Sequence, residues 1–425
     1  DRASALLRRL TRFLDQFKIC FGHQAQVASL TQYVHGLLGD SARKSMQAML
    51  ARVTEPVSYQ AFQHFITHAP WSVGPVWRRL LTVLPERRGG FPKQGTHSVG
   101  VSRQYSGTLG KIANCQVAVT AALWTGVRAW LLGAELYLPE SWLTPERREH
   151  ARIPRDVRFQ EKWRLALTLI RRARHAGLQI DLVVADAGYG DGLPFRTALD
   201  RLHLPYMLGV AGSLALWVGP PSVGGRRYTR GVTAASVGAI QAAQWAAQQP
   251  RHAWRRVSWC NRSQRLWAAQ FVAVRVTPVG LWRHHQRFAE EWLLCQRPTG
   301  ATTATAHDRY FVSNLPATTR LSALVRAAHQ RWAIEQQYQE LKTELGLDHF
   351  EGRSYPGWQH HVVITAIAYA FLQQERLRPH PGPRLTLPQV CAIVQEIFTG
   401  LLFISRPRYM HWMRQAETRF HQLRI

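Results

Sequence analysis

The stretch LQIDLVVAD-AGYGDG-LPFRTALDRLH-L-PYMLGVAG, residues 178–212, constrains the fold more than any other part of the chain. It is an apolar run of strand length, a glycine-rich turn, a segment with helical spacing and a second apolar run. A strand, a helix and a strand in that order make the two strands parallel neighbours in a mixed sheet, with the helix as crossover. The class is therefore α/β. Asp186 ends the first strand, and open α/β sheets bind ligands beyond the carboxyl ends of their strands. Gly188 and Gly190 permit close backbone approach there. Two roles stay open for Asp186, a helix cap or a ligand contact. Asp191 is better placed for the cap.

The flanking segments set the organisation. ALLRRLTRFLDQF, QVASLTQYVHGLLG and DSARKSMQAMLARV place apolar residues at three- and four-residue spacing, broken at Gly39-Asp40 and Pro56. SYQAFQHFITHAPW reads as a further helix capped by Ser58. A small all-helical domain, 1–72, is expected, either reading DNA or packing for its own sake. NCQVAVTAALW and VRAWLLGAELYLP flank Thr125-Gly126 and predict a hairpin; RFQEKWRLALTLIRRARHAG predicts a helix. These belong with 73–210 as the first part of a sheet core. Residues 211–308, with Gly/Pro breaks and many tryptophans, read as a strand-rich insertion. RYFVSNLP returns to the core, a helix over 321–345 follows, and helices fill the rest of 309–425. The sequence shows no internal repeat.

A net charge of +28 predicts attraction to a polyanion, which points to nucleic acid. Arginine outnumbers lysine, and its planar fork suits phosphate. Cys20, Cys115, Cys260, Cys295 and Cys391 lie far apart with no C-x-x-C pair, which argues against a zinc ribbon and suits a reducing cytosol. The longest clean apolar stretch, VVITAIAYAFL, is too short to span a bilayer, so no membrane role is expected. No signal-peptide pattern is visible.

Arg331, Glu335, Tyr338 and Lys342 in RWAIEQQYQELKTELG lie at offsets of 0, 4, 7 and 11, which place them on one helix face. They suit either a metal-holding carboxylate among phosphate-gripping neighbours or an ordinary Arg–Glu surface pair. His360-His361 lacks a third spaced ligand, so a metal site there is not expected.

Taken together, DAGYGDG, the Arg331–Glu335–Lys342 spacing and GFPKQGTHSVGVSRQYSGTLGKIANCQV at 90–117 resemble bacterial insertion-sequence transposases of the DDE class, IS-four-like, with a YREK helix and a strand-rich insertion. The resemblance runs over nearly the whole chain. It implies a ribonuclease-H-like core in which an Asp–Asp–Glu triad holds two Mg2+ ions (Mn2+ as substitute) for in-line attack on a DNA phosphodiester. Asp186 and Glu335 match the second and third acids. Arg331 and Lys342, with Tyr338 on their face, would hold terminal DNA phosphates, and Lys93, Arg103 and Lys111 lie where the backbone would pass. The signature tyrosine position is Ala328 here.

The first acid of that triad should end a strand just before Gly90. LPERRG stands there instead, as though an apolar strand with its Asp were missing between Gly89 and Gly90. Glu86 is the only nearby stand-in, and Pro85, Arg87 and Arg88 tell against it. The chain thus reads as a transposase acting in the bacterial cytoplasm on the nucleoid, as a homodimer on duplex DNA, with cleavage impaired. The alternative is a DNA-binding relative serving as repressor or domesticated protein. Such an insertion can stack a flipped base in this group, on one of Trp245, Trp254, Trp259, Trp267, Trp282 and Trp292.

Overall fold

The structure, a computed structural model, describes residues 2–83, 102–106, 111–218, 238–260, 266–279, 290–301, 303–305, 307–379 and 383–405, with backbone alone for 102–106, 111–115 and 260. Five helices open it: α1 (Arg2–Asp15), α2 (Gln24–Leu38), α3 (Met46–Ala51), α4 (Tyr59–Thr67) and α5 (Val73–Val83). Ser58 caps α4 by accepting from the Ala61 amide, as its sequence position predicts. The third helix is shorter than its sequence pattern. Ser45 caps it, leaving 40–45 outside, and Lys44 is buried there with its ammonium donating to the Gly39 carbonyl.

Two hairpins follow, β1 (Ser102–Ser106) with β2 (Lys111–Cys115), and β3 (Ala118–Trp124) with β4 (Ala129–Leu136). Gly126 turns the second at φ +81°, a conformation that favours glycine. Next come α6 (Pro145–Ala151), α7 (Lys162–His175), β5 (Val183–Ala185), α8 (Ala187–Gly190), α9 (Leu193–Arg201) and β6 (Tyr206–Val210). β5 and β6 are parallel, as the strand–helix–strand order requires.

The remaining elements are β7 (Ala215–Val218), β8 (Ile240–Gln241), α10 (Ala242–Ala247), β9 (Arg255–Cys260), β10 (Leu266–Pro278), β11 (Glu291–Pro298), β12 (Arg309–Ser313), α11 (Leu321–His329), α12 (Trp332–Thr343), α13 (Tyr355–Leu377) and α14 (Leu387–Ser405). The large sheet runs β5-β6-β12-β11-β10-β7-β8, with β9 on β10. The strands expected to form a separate insertion therefore continue the core sheet. Long β10 makes this possible, because different stretches of it pair with β7, β9 and β11.

Alternation along the strands places helices on both faces. Val183 and Ala185 of β5 face the larger core with α7 and α9, while Val184 joins Met207, Phe271 and Leu294 under α11 and α12. The expected single helix over 321–345 is broken at Gln330-Arg331. The Trp259 ring stacks on His329 at 3.8 Å and pins the end of α11. The chain then turns through three-residue bonds, Ala333 N–H to Gln330 O and Ile334 N–H to Arg331 O.

Helix α13 is buried on nearly every side and shares one core with α2, α4, α5, β4 and α14. Helix α14 is the one described helix long and apolar enough to cross a membrane. Its Val390, Val394 and Phe398 are buried in that core, while Ile393 and Ile404 are exposed.

Candidate active site

The turn after β5 is set by backbone proximity. A Cβ on Gly190 would stand 2.0 Å from the Gly209 carbonyl oxygen, so only glycine lets α8 lie this close against β6. Asp186 starts α8 with its Oδ1 accepting from the Gly188 amide at 3.0 Å. Asp186 thus caps the short α8, while α9, which Asp191 was expected to cap, starts at Gly192 without a side-chain cap. Asp191 instead accepts from the Ala211 amide at 2.8 Å and ties the chain leaving β6 to the same turn. Oδ1 is engaged; Asp186 remains only partly buried.

On α12 the four residues sharing a stripe divide by burial. Arg331 donates to Glu335 at 2.5 Å, both partly open to solvent, and Lys342 lies 3.8 Å from Asp348. Tyr338, between them, is buried with Ile334 against Ala122, Val184 and Met207. Burial pushes its phenol well above the ordinary value, and the neighbouring Tyr189 adds to that. Burial raises Tyr189 likewise, helped by the Asp186 charge. With its ring inside, Tyr338 serves packing here and does not share the solvent face of Arg331 and Lys342.

Beside Tyr338 lies a cavity of about 40 Å³ lined also by Thr120, Gln116 and Lys342. The hydroxyls of Thr120 and Tyr338 have no protein partner. The space suits a water bridging them, since one water needs roughly 10–15 Å³.

A two-ion centre needs a carboxylate shared between the ions. Among the described residues no group of three His, Cys, Asp or Glu side chains is placed to hold a metal. Asp186 is engaged by a backbone amide and Glu335 by Arg331, so the described residues do not fit the two-ion group. Glu86 and Lys93 lie outside the described residues. Arg103 sits on β1 opposite Asn114, and Lys111 starts β2.

The tryptophans separate clearly. Trp245 is buried, Trp254 lies under the Arg297 guanidinium at 4.1 Å, and Trp292 lies under Arg275 and donates to the Pro316 carbonyl. Trp259 is taken by His329, and its cross-strand neighbour Trp267 is 42% exposed. Trp282 is outside the described residues. His360 faces the Ile66 and Trp71 carbonyls, and His361 sits between the Tyr33 hydroxyl and the Gly346 carbonyl, so both are structural.

Sequence reading missed a buried network behind the Asp186 turn. Arg196 of α9 donates to Glu291 at 2.7 Å, and the Tyr206 hydroxyl donates to the same carboxylate at 2.6 Å. Glu291 is distant in sequence from both, so no local signal marks the group.

A family profile described as DDE superfamily endonuclease matches residues 16–266, and one described as transposase DDE domain matches 162–371. A probable transposase for insertion sequence element IS701 from Microchaete diplosiphon is 30% identical over 193 residues, 42% of this chain and 48% of that protein. The match thus spans about half the length of that relative. The piggyBac transposase in a synaptic complex with hairpin DNA aligns over 93% of this chain and 75% of its own, at 9% identity and TM-score 0.40, a likeness too slight to carry weight.

Proposed function

The chain belongs to the DDE superfamily endonucleases, and from that premise we propose that it is an insertion-sequence transposase that binds duplex DNA but cuts it poorly or not at all. What supports the reading is that Asp186 and Glu335, the acids matched by the resemblance, stand on elements that pack together, while no group of three His, Cys, Asp or Glu among the described residues could hold a metal.

The sheet arrangement supports the same reading. Among the described residues β3 pairs only with β4 and β5 only with β6, although α12 packs against both β3 and β5 through Ile334 and Tyr338. The two pieces are read as parts of one ribonuclease-H-like sheet that lacks the strand between them, and with it the first Asp. Arg331 and Lys342 are taken to hold terminal phosphates, and Lys93 and Arg103 to contact DNA as well. DDE transposases generally use divalent ions, and an intact site of this kind would take two, Mg2+ or Mn2+. The setting that fits is the bacterial nucleoid, with two copies joined on two element ends. A chain that binds ends without cutting them competes with active copies, which is the repressor reading.

The test is a labelled duplex from the flanks of the gene, incubated with the protein, Mg2+ or Mn2+, and in parallel with Asp186→Ala. A shifted band without cuts is expected. Metal-dependent cuts that disappear in Asp186→Ala would overturn the impaired-nuclease reading. Absence of any shift would overturn the DNA-binding one.

A further inference from the structure

Helix α7 carries Lys162, Arg164, Arg171, Arg172, Arg174 and His175 and no acidic residue. Part of this charge has local work. Arg172 pairs with Glu135, Arg174 donates to the Leu202 carbonyl, and cations in a last turn complement the helix dipole. That accounting leaves Arg164 and Arg171 on α7, and beside them stands Arg201 in the last turn of α9, where it complements that helix's dipole. Arg164 lies in the first turn, where the dipole disfavours a cation, and its pair with Glu161 is exposed and worth little. Arg171 and, on α9, Arg201 are exposed and have no side-chain partner among the described residues.

These three converge on one place. Arg164, Thr168 and Arg171 stand at i, i+4 and i+7 on one face of α7, and Thr197 and Arg201 stand at i and i+4 on α9. Together they line a cleft of about 720 Å³ between the two helices. Arg164 and Arg171 are ~10 Å apart along the helix axis, so the charge is spread along the cleft rather than gathered at a point. The Thr197 hydroxyl is free to donate. Among the described residues no carboxylate lines the cleft.

We propose that the cleft between α7 and α9 grips the sugar-phosphate backbone of DNA through Arg164, Arg171 and Arg201, as a surface separate from the Arg331–Lys342 face. Guanidinium forks bind phosphate oxygens in pairs, and a spread row of them follows a strand rather than a single anion. Such contacts carry no sequence information; they orient the duplex. The inference rests on the DNA-binding reading above.

The test is the salt dependence of duplex binding by the full chain, measured by fluorescence anisotropy, because each phosphate contact contributes about 0.9 to the slope of log K against log salt. Arg171→Ala with Arg201→Ala is expected to lower the slope by about 1.8. Arg171→Lys with Arg201→Lys should keep most of it. Arg251→Ala with Arg326→Ala removes equal charge from exposed positions that do not line the cleft, and should leave the slope unchanged. Thermal melting of each variant confirms that it folds.

An unchanged slope in the cleft pair overturns the inference while leaving DNA binding intact. So does an equal loss in the control pair, since overall charge then explains the effect. A loss seen with an RNA duplex but not with DNA overturns it too. A wild-type chain that binds no DNA overturns the functional reading on which it rests.

Discussion

The eight-stranded sheet and the β3–β4 hairpin are built from similar apolar strands, yet they meet the demands of burial differently. In the sheet, β6, β12, β11 and β10 each have a strand on both sides. Its interior tolerates charge, because Arg196 and Glu291, 2% and 4% exposed, neutralise one another under Tyr206. Among the described residues the hairpin has no such neighbours. Its first strand is buried along most of its length while pairing there on one edge alone, and α7, α12 and α13 hold it by side-chain packing. Charge is buried only at its turn, where Arg128 lies near the Glu340–Arg376 pair, and the neutral His360 and His361 are buried in α13. A half with its buried ion pair between strands and a half held mainly by helix packing should fail under different stresses.

The largest effect is expected in the sheet. Arg196→Ala leaves Glu291 buried without its cation, which costs about 3–5 kcal/mol and should show as a large fall in the urea midpoint. Arg196→Met with Glu291→Leu should recover most of it. If the single and double variants fall equally, packing rather than charge holds that half together.

Acid should distinguish the halves next. Burial lowers His361 to about 4, so the folded chain binds fewer protons than the unfolded one between pH 6.5 and 4. That contribution is present above about 6.5 and is lost as pH falls through about 4, worth about 3 kcal/mol over the window. Glu291 has the opposite sign, because burial raises it and the folded form then favours its proton. The urea midpoint of the wild-type chain should fall on acidification, and His361→Gln should flatten that fall. An identical pH profile in the variant would remove the helical half as the acid-sensitive one.

The smallest effect belongs to the join between them. Losing the Asp186 cap in Asp186→Ala should cost about 0.5–2 kcal/mol, whereas Asp186→Asn keeps a capping oxygen and should lose only a few tenths. Melting temperatures of the two variants separate a cap from a purely electrostatic role. Equal losses would show that the Gly188 contact contributes nothing.

The parallel pair, the hairpin turn at Gly126 and the Ser58 cap were legible in local pattern, since period, turn residues and caps act over a few positions. Three things were not. The break between α11 and α12 depends on Trp259 reaching His329 from another strand. Tyr338 turns inward because β3 and β5 lie beneath it, although its helical spacing matches that of Arg331 and Lys342, which stay partly open to solvent. The cap made by Asp186 belongs to a four-residue helix inside the glycine-rich turn, too short for any spacing to announce. For the site, sequence named Asp186 and Glu335 as candidate acids and pointed to the want of a third.

Helix α13 gives the front of the molecule a mechanical property. Tyr33 of α2 reaches His361, Arg9 of α1 pairs with Glu375, and the carbonyls of Ile66 and Trp71 hold His360. The opening helices are thereby latched along the length of a rod that also bears on β4. A pull exerted on them by a bound duplex is delivered into the sheet region rather than absorbed in a hinge, and a fragment deprived of them would expose a greasy cylinder and precipitate.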